Sequence, residues 1–401
     1  MKYFFILGQS PKLSLAEIPA ALDRAEIDFK IEKFSNTILI VETKSEIDGE
    51  KILDSLGGTI KIGKILNDYP IKEINSETVI SNLKFSTDSK FHFGFSIYRL
   101  TENQFQLPQN FGLEVKRILK EKNISSRLVT SRSSNLSSVT VAKNRLLKNG
   151  AEMCFIVDGD TIRLGQTLAV QKFGEYSKFD YDRPGRDSHS GMLPPKVGKM
   201  MLNLSRTLDL ESQILDPFCG SGTTLMQAAL LEYKNLLGSD TSERAIKDTR
   251  KNFEFLITSF PSFEEPELYV LDARNLSSEI KAESISAIVT EPFMGPPLKG
   301  SETDSEIENI INDISSLYID SFTEFKKILK LGGKVVMVFP ILQGTPSIND
   351  QQLEEIEELG FSPAWELPEE LKDALSERKS ITYSRAGQMV EREIFVFQLE
   401  K

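Results

Sequence analysis

The sequence predicts an α/β chain in two parts, an α+β N-terminal region followed by an open, mostly parallel sheet. Three observations predict the sheet. Residues Ile214-Leu-Asp-Pro-Phe-Cys-Gly-Ser-Gly-Thr-Thr224 run an apolar strand into a Gly-x-Gly turn and then directly into a helical pattern. Downstream, apolar runs ending in an acid recur at Asp240, Asp272 and Glu291 with helical spacing between them, the alternation that demands right-handed crossovers and parallel strands. The chain closes on Ser380–Ser384 and Glu393–Gln398, two short alternating runs that read as an antiparallel pair.

The glycine turn is a nucleotide-cofactor loop. Gly220 and Gly222 let the backbone approach a ligand, and the helix beginning near Thr223 offers unpaired N–H groups at its positive end. Asp240 follows the loop at the separation that places a carboxylate on both hydroxyls of an adenosine ribose. Leu225 stands where a dinucleotide fingerprint needs its third glycine, which argues against a pyrophosphate. Asp216 argues the same way, since a carboxylate there repels phosphate and attracts an ammonium group. S-adenosylmethionine carries an ammonium and no phosphate.

The remaining acids extend the set. Asp272, ending Leu268–Asp272, is placed to accept from an adenine amino group while the Ala273 N–H reads a ring nitrogen. Glu291, with Pro292 and Phe293, ends the β-branched run from Ile285. Four strand ends then line one rim, where open parallel α/β sheets bind their ligands.

The block from Asp216 to Gly295 resembles the catalytic domain of class I S-adenosylmethionine-dependent methyltransferases, and more narrowly the THUMP-containing tRNA guanine-N2 methyltransferases. Three other stretches carry the narrower likeness: the opening Tyr3–Glu17, Arg163-Leu-Gly-Gln-Thr-Leu-Ala-Val-Gln171, and Arg183–Asp187 with His189–Lys196 and the apolar helix to Leu204. The resemblance implies a Rossmann-like methyltransferase sheet with a reversed strand inserted near one edge, S-adenosyl-L-methionine held by Asp216, Phe218, Gly220, Gly222, Thr223, Asp240, Asp272 and Ala273, and a structured RNA, tRNA foremost, as substrate. It leaves room for a small activating protein partner.

Composition sets limits. The chain has 401 residues, enough for two or three domains with full cores. Its two cysteines, Cys154 and Cys219, sit apart without metal-ligand spacing, and with two histidines a metal site is not expected. A reducing, cytoplasmic setting fits, and the apolar stretch Tyr3–Leu7 is too short for a signal peptide or a membrane span. Net charge is −11, unfavourable for nucleic acid as an average. The average conceals a basic segment: residues 84–150 hold 12 Lys and Arg against 4 Asp and Glu. Arg117, Lys120, Arg127, Arg132, Lys143 and Arg145 are therefore the candidates for gripping RNA phosphates.

Along the chain, residues 2–8 and 37–43 read as strands around a helix at 14–24, with another helix at Glu50–Leu56. Phe91–Tyr98 alternates as a strand, Gly112–Lys122 and Val139–Lys148 have helical spacing, Arg127–Ser131 is a short strand, and Asp158-Gly-Asp160 marks a hairpin. These place a small α+β domain at 1–75, a THUMP-like RNA-binding domain at 76–173, a linker at 174–195 and the methyltransferase domain at 196–401. In the last, a helix over Glu306–Leu329 stops before Gly332-Gly333, Lys334–Phe339 is a central strand, and a helix spans Gln351–Leu359.

The chemistry centres on Glu291-Pro-Phe-Met-Gly295. An exocyclic amine is a poor nucleophile because its lone pair is delocalised into the ring; a carboxylate and a backbone carbonyl that accept its two N–H groups help to rehybridise and aim it. Glu291 and the Pro292 carbonyl are the acceptors in this reading, and Phe293 stacks on the base. The family pattern at this point is Asp/Asn-Pro-Pro-Tyr, so Glu for Asp and Phe-Met for Pro-Tyr leave the acceptor base open between guanine N2, another RNA base, and a site in ribosomal RNA. Two other classes compete: a dinucleotide oxidoreductase, disfavoured by Leu225 and Asp216, and an inactive RNA-binding homologue. His189 reads as a linker histidine.

Overall fold

Tyr3, Phe4, Phe5, Ile6 and Leu7 are all buried, so the first strand, β1 (Lys2–Leu7), is covered on both faces and sits inside a sheet. The computed structural model describes residues 1–85, 89–172, 174, 182–185, 192–385 and 387–400. It divides into two compact units, one of residues 1–15 and 25–175, the other of 16–24 and 176–401. His189, Arg186 and Asp187 lie outside the described residues.

The first unit follows β1 with α1 (Pro11–Arg24, whose last nine residues belong to the second unit), β2 (Phe29–Phe34), β3 (Ile38–Thr43), α2 (Gly49–Ser55), β4 (Thr59–Pro70) and α3 (Ser76–Ser81). Then come β5 (Phe91–Arg99), α4 (Phe111–Glu121), β6 (Ser126–Val129), α5 (Ser138–Lys143), β7 (Gly150–Asp158) and β8 (Thr161–Val170). All eight strands form one sheet in the order β2-β3-β1-β4-β8-β7-β5-β6. β4 joins the two parts by antiparallel pairing with β8 from Lys61↔Val170 to Pro70↔Thr161. Gly63 and Gly165 make the close packing there, since a Cβ on either meets the Phe4 ring at 2.0 and 2.6 Å.

Two parts of this unit depart from the sequence expectation. The helix expected over Val139–Lys148 ends at Lys143: Asn144 caps it, Arg145 takes φ +56°, and the chain turns back toward β7. β4 escapes a hydropathy reading because Lys61 lies within it, wholly buried. Its Nζ donates to Glu152 Oε1 at 2.5 Å and to the Leu136 carbonyl at 2.6 Å, while Ser96 and Thr167 donate to the same carboxylate. A buried charge pair is tolerated only when satisfied this fully.

The second unit contains α6 (Pro195–Leu204), β9 (Gln213–Asp216), α7 (Thr223–Leu230), β10 (Asn235–Asp240), α8 (Glu243–Ser259), β11 (Glu267–Val270), β12 (Ile285–Thr290) and α9 (Asp304–Ile328). It ends with β13 (Leu329–Leu342), β14 (Thr345–Pro346), α10 (Asp350–Glu358), β15 (Phe361–Pro363), β16 (Ile381–Tyr383) and β17 (Val390–Leu399). The sheet order is β11-β10-β9-β12-β13-β17-β15. The first five strands run parallel; β17 enters reversed between β13 and β15, and β16 pairs with it at Ile381↔Ile394, the expected antiparallel pair. α9 begins at a capping box, with Thr303 and Glu306 exchanging side-chain and backbone bonds, and its Tyr318, Phe322 and Phe325 pack with Phe339, Phe361 and Phe397 as the main core. No helix among the described residues is long and apolar enough to cross a membrane.

Candidate active site

Strand order reverses between β9 and β12, each flanked by neighbours reached in opposite directions, and at such a switch point the loops part and leave a crevice. Here the crevice is a cavity of about 950 Å³. Asp216, Asp240, Asp272 and Glu291 all line it, at or just beyond the C-terminal ends of β9, β10, β11 and β12. Of the other residues singled out from sequence, Phe218, Gly220, Thr223, Ala273, Pro292 and Phe293 also line it. Gly222 lies beneath the loop, buried at φ +82°, where a Cβ would meet Thr249 Cγ2 at 2.8 Å. The six basic candidates are elsewhere, all exposed on the first unit.

The glycine loop is braced from α8, by residues that sequence reasoning missed. Thr249 Oγ1 donates to the Gly220 carbonyl at 2.8 Å. The fully buried Asn252 donates from Nδ2 to the carbonyls of Ser221 and Gly185 and accepts from the Gly185 N–H, at 2.7–2.8 Å. A polar residue at a core position of an amphipathic helix was the only sequence signal. Leu225, the residue that breaks the dinucleotide fingerprint, is buried against Gly238; a Cβ on that strand glycine would stand 2.6 Å from Leu225 Cδ1. The close helix–strand approach is thus supplied from the strand, and the helix keeps its leucine.

Each acid has a distinct environment. Asp216 is buried; its Oδ1 accepts from Thr290 Oγ1 at 2.6 Å and from the Phe218 N–H at 3.2 Å, and burial pushes its carboxyl up to about 7 despite those bonds. Asp240 spans the loop, with Oδ2 accepting from the Gly220 N–H at 3.0 Å and Oδ1 from the Ser242 N–H at 2.9 Å. Each oxygen keeps a lone pair for a further donor. Asp272 is gripped by Arg274, whose Nη2 reaches Oδ2 at 2.7 Å and whose Nε and N–H reach Oδ1, and this pairing holds its carboxyl below the usual range. Arg274 thus takes up much of the acceptor capacity of that carboxylate. Thr223 Oγ1 accepts from Arg183 Nη1 at 2.8 Å, tying the connecting segment to the helix start.

At the end of β12, Glu291 accepts from Arg392, Nε to Oε1 at 2.5 Å and Nη2 to Oε2 at 3.4 Å. Burial raises the Glu291 carboxyl while the guanidinium opposes that rise. The next residues form a bent ledge: Pro292 is buried, Phe293 is 54% exposed, and Gly295 turns at φ +89°. Tyr318 on α9 donates its hydroxyl to the Phe293 carbonyl at 2.6 Å, fixing the ledge.

A five-strand parallel run, a reversed strand beside it, and a glycine loop with acids at successive strand ends define a class I methyltransferase domain. Residues 185–357 match the family "RMKL-like, methyltransferase domain". The chain is 25% identical over 358 residues to the tRNA (guanine(10)-N2)-dimethyltransferase of Methanothermobacter thermautotrophicus, covering 88% of this chain and 93% of that one. It is 24% identical to the Methanocaldococcus jannaschii protein of the same name, covering 79% and 88%. Among solved structures, TrmN from Thermus thermophilus superposes over the whole of both chains with a TM-score of 0.57 at 14% identity. A possible methylase from Clostridium difficile 630 superposes with a TM-score of 0.52 over 100% and 99% of the two chains, also at 14% identity. These likenesses support a place for the chain among the tRNA guanine-N2 methyltransferases.

Proposed function

We propose that the protein uses S-adenosyl-L-methionine to methylate the exocyclic N2 of a guanosine in tRNA, with position 10, named for its relatives, as the first site to test. The observation that carries this is the placement of Glu291 in the same cavity as Asp216 and Asp240. One rim thereby offers an acceptor for an amine substrate and two carboxylates for a cationic nucleoside.

The donor set fits the cofactor. Asp216 would accept its ammonium, Asp240 its ribose hydroxyls, and the Asp272–Ala273 corner its adenine, with Phe218 and Gly220 walling the pocket and Gly222 and Thr223 shaping the loop and helix start beneath it. When bound, the cofactor supplies an electrophilic methyl group on a sulfonium.

The chain's own residues do the rest. Glu291 and the Pro292 carbonyl accept the N–H groups of the target amine, which localises its lone pair. Phe293, projecting at the cavity mouth, offers a stacking face to a base lifted out of its helix. Glu291 can also hold the proton shed by the methylated amine until water removes it. Gripping the RNA falls to residues 76–173 of the first unit, a THUMP-like module in this reading, through Arg117, Lys120, Arg127, Arg132, Lys143 and Arg145.

The test is mass spectrometry of nucleosides from tRNA incubated with the full chain and S-adenosylmethionine. N2-methylguanosine or N2,N2-dimethylguanosine is the expected product. Methylation of another base, or none, overturns the proposal.

A further inference from the structure

Arg392 stands one residue before the run that reads as the last strand, and nothing in the sequence marks it. The topology does. Because β17 runs antiparallel to β13, its N-terminal end lies at the rim where the parallel strands finish, and Arg392 is placed opposite Pro340 there, 6% exposed and lining the cavity. Its side chain approaches Glu291 sideways, Nε at 2.5 Å from Oε1 and Nη2 at 3.4 Å from Oε2. A carboxylate oxygen has two lone pairs, so the pair leaves acceptor capacity on both oxygens for a ligand in the cavity.

We propose that Arg392 is the positioning residue that keeps Glu291 ionised and oriented, and that the pair selects a base edge carrying two adjacent N–H donors. This rests on the guanine-N2 reading. An ionised carboxylate only accepts, and guanine presents N1–H and N2–H side by side; adenine presents an acceptor, N1, beside its amine, and repels it. A protonated Glu291 reverses the preference, its O–H donating to adenine N1 while its carbonyl accepts from the amine. Identity of the base is thus tied to the charge on one side chain, and that charge to one guanidinium.

The groups around Glu291 agree with this assignment. Arg392 on β17 is the cation paired with it; Tyr318 on α9 faces it as a neutral phenol whose hydroxyl is engaged by the Phe293 carbonyl; Asp216 and Asp240 are the other carboxylates nearby, lining the same cavity. Burial drives the carboxyl up, and Arg392 is what opposes it.

The experiment compares wild type with R392Q and R392K in full-length protein between pH 5.5 and 8.5, as single-turnover methylation of tRNA at saturating S-adenosylmethionine, so that Asp216, common to all three, cancels. In R392Q the midpoint of the acid limb rises by about one unit or more, with activity recovering at high pH. R392K restores the wild-type shape. On a transcript with adenosine at the methylated position, R392Q gains relative activity as pH falls. Infrared difference spectra against E291Q give a readout independent of turnover: the protonated-carboxyl band grows in at higher pH in R392Q than in wild type. Superimposable profiles and spectra for wild type and R392Q overturn the inference while leaving the guanine-N2 assignment standing. A wild-type protein that makes no N2-methylated guanosine overturns both.

Discussion

The Thr290 hydroxyl donates to the Asp216 carboxylate across 2.6 Å, joining the ends of the two strands between which the sheet order reverses. That bond, with the Phe218 N–H, moderates the cost of burying a carboxylate without abolishing it, and the group titrates at about 7. An ammonium ligand requires the ionised form. Above pH 7 the site is ready; below it a proton must leave before the ligand pairs, and the complex draws the pKa down. S-adenosylmethionine affinity, measured by calorimetry, is therefore expected to be greatest at about pH 7.5, above the Asp216 transition and below that of the ligand's own ammonium. It should fall below pH 7 by a factor approaching about tenfold per unit. D216N should bind weakly and without that slope, and an equal slope in D216N would refute the assignment.

On the proposed reading Asp240 has two jobs. It bonds the Gly220 N–H, so it shapes the loop, and it holds free lone pairs toward the cavity, so it can take both ribose hydroxyls. Asp240→Ala is expected to weaken S-adenosylmethionine binding by roughly 1–3 kcal/mol, the range for losing a charged acceptor. Asp240→Asn keeps one acceptor oxygen and should lose less. Calorimetry of both variants decides it, and unchanged affinity in Asp240→Ala contradicts the ribose role.

How far the sequence reveals this site follows from where each side chain gets its partner. Asp216, Asp240 and Glu291 are legible because each is a charged residue closing an apolar run, and the physics of a parallel sheet puts such ends on one rim. Asn252, Tyr318 and Arg392 are not, since each acts on a residue between 25 and 101 positions away and only the fold supplies the pairing. The N-terminal unit shows the same limit. β1, β3 and the β7–β8 hairpin alternate or run apolar and were legible, whereas β4 carries the buried Lys61, whose partner Glu152 lies 91 positions on. β2, Phe-Lys-Ile-Glu-Lys-Phe, buries only Ile31, so its pattern gives no inward face to find.

Arg127, Arg132, Lys143 and Arg145 are exposed, and none has an ion-pair partner among the described residues, while Arg117 is paired with Glu121 one turn away. Exposed unpaired cations release counterions when they meet phosphate, and each contact steepens the salt dependence of binding. The variant Arg132→Glu/Lys143→Glu is expected to bind tRNA at least about tenfold more weakly in filter binding near physiological salt, with a salt slope shallower by about 2. Its S-adenosylmethionine affinity should not change. Wild-type tRNA affinity in this variant would remove these residues from the RNA-binding face.

Tyr318 is the residue through which the core reaches the ledge at the end of β12. Its ring is buried against Phe339, and its hydroxyl holds the Phe293 carbonyl at 2.6 Å, one residue beyond the carbonyl assigned to the target amine. Tyr318→Phe keeps the ring and deletes that bond, leaving the carbonyl without its donor at a cost of about 1–3 kcal/mol. Nothing in the change touches Asp216 or Asp240. S-adenosylmethionine affinity should therefore match wild type while the single-turnover rate drops by about ten- to a hundredfold, because a small misplacement of an acceptor is amplified in an orientation-dependent step. A Tyr318→Phe protein with a wild-type rate would show that the ledge is held by its prolines and Gly295 alone, and that the phenol serves only the core.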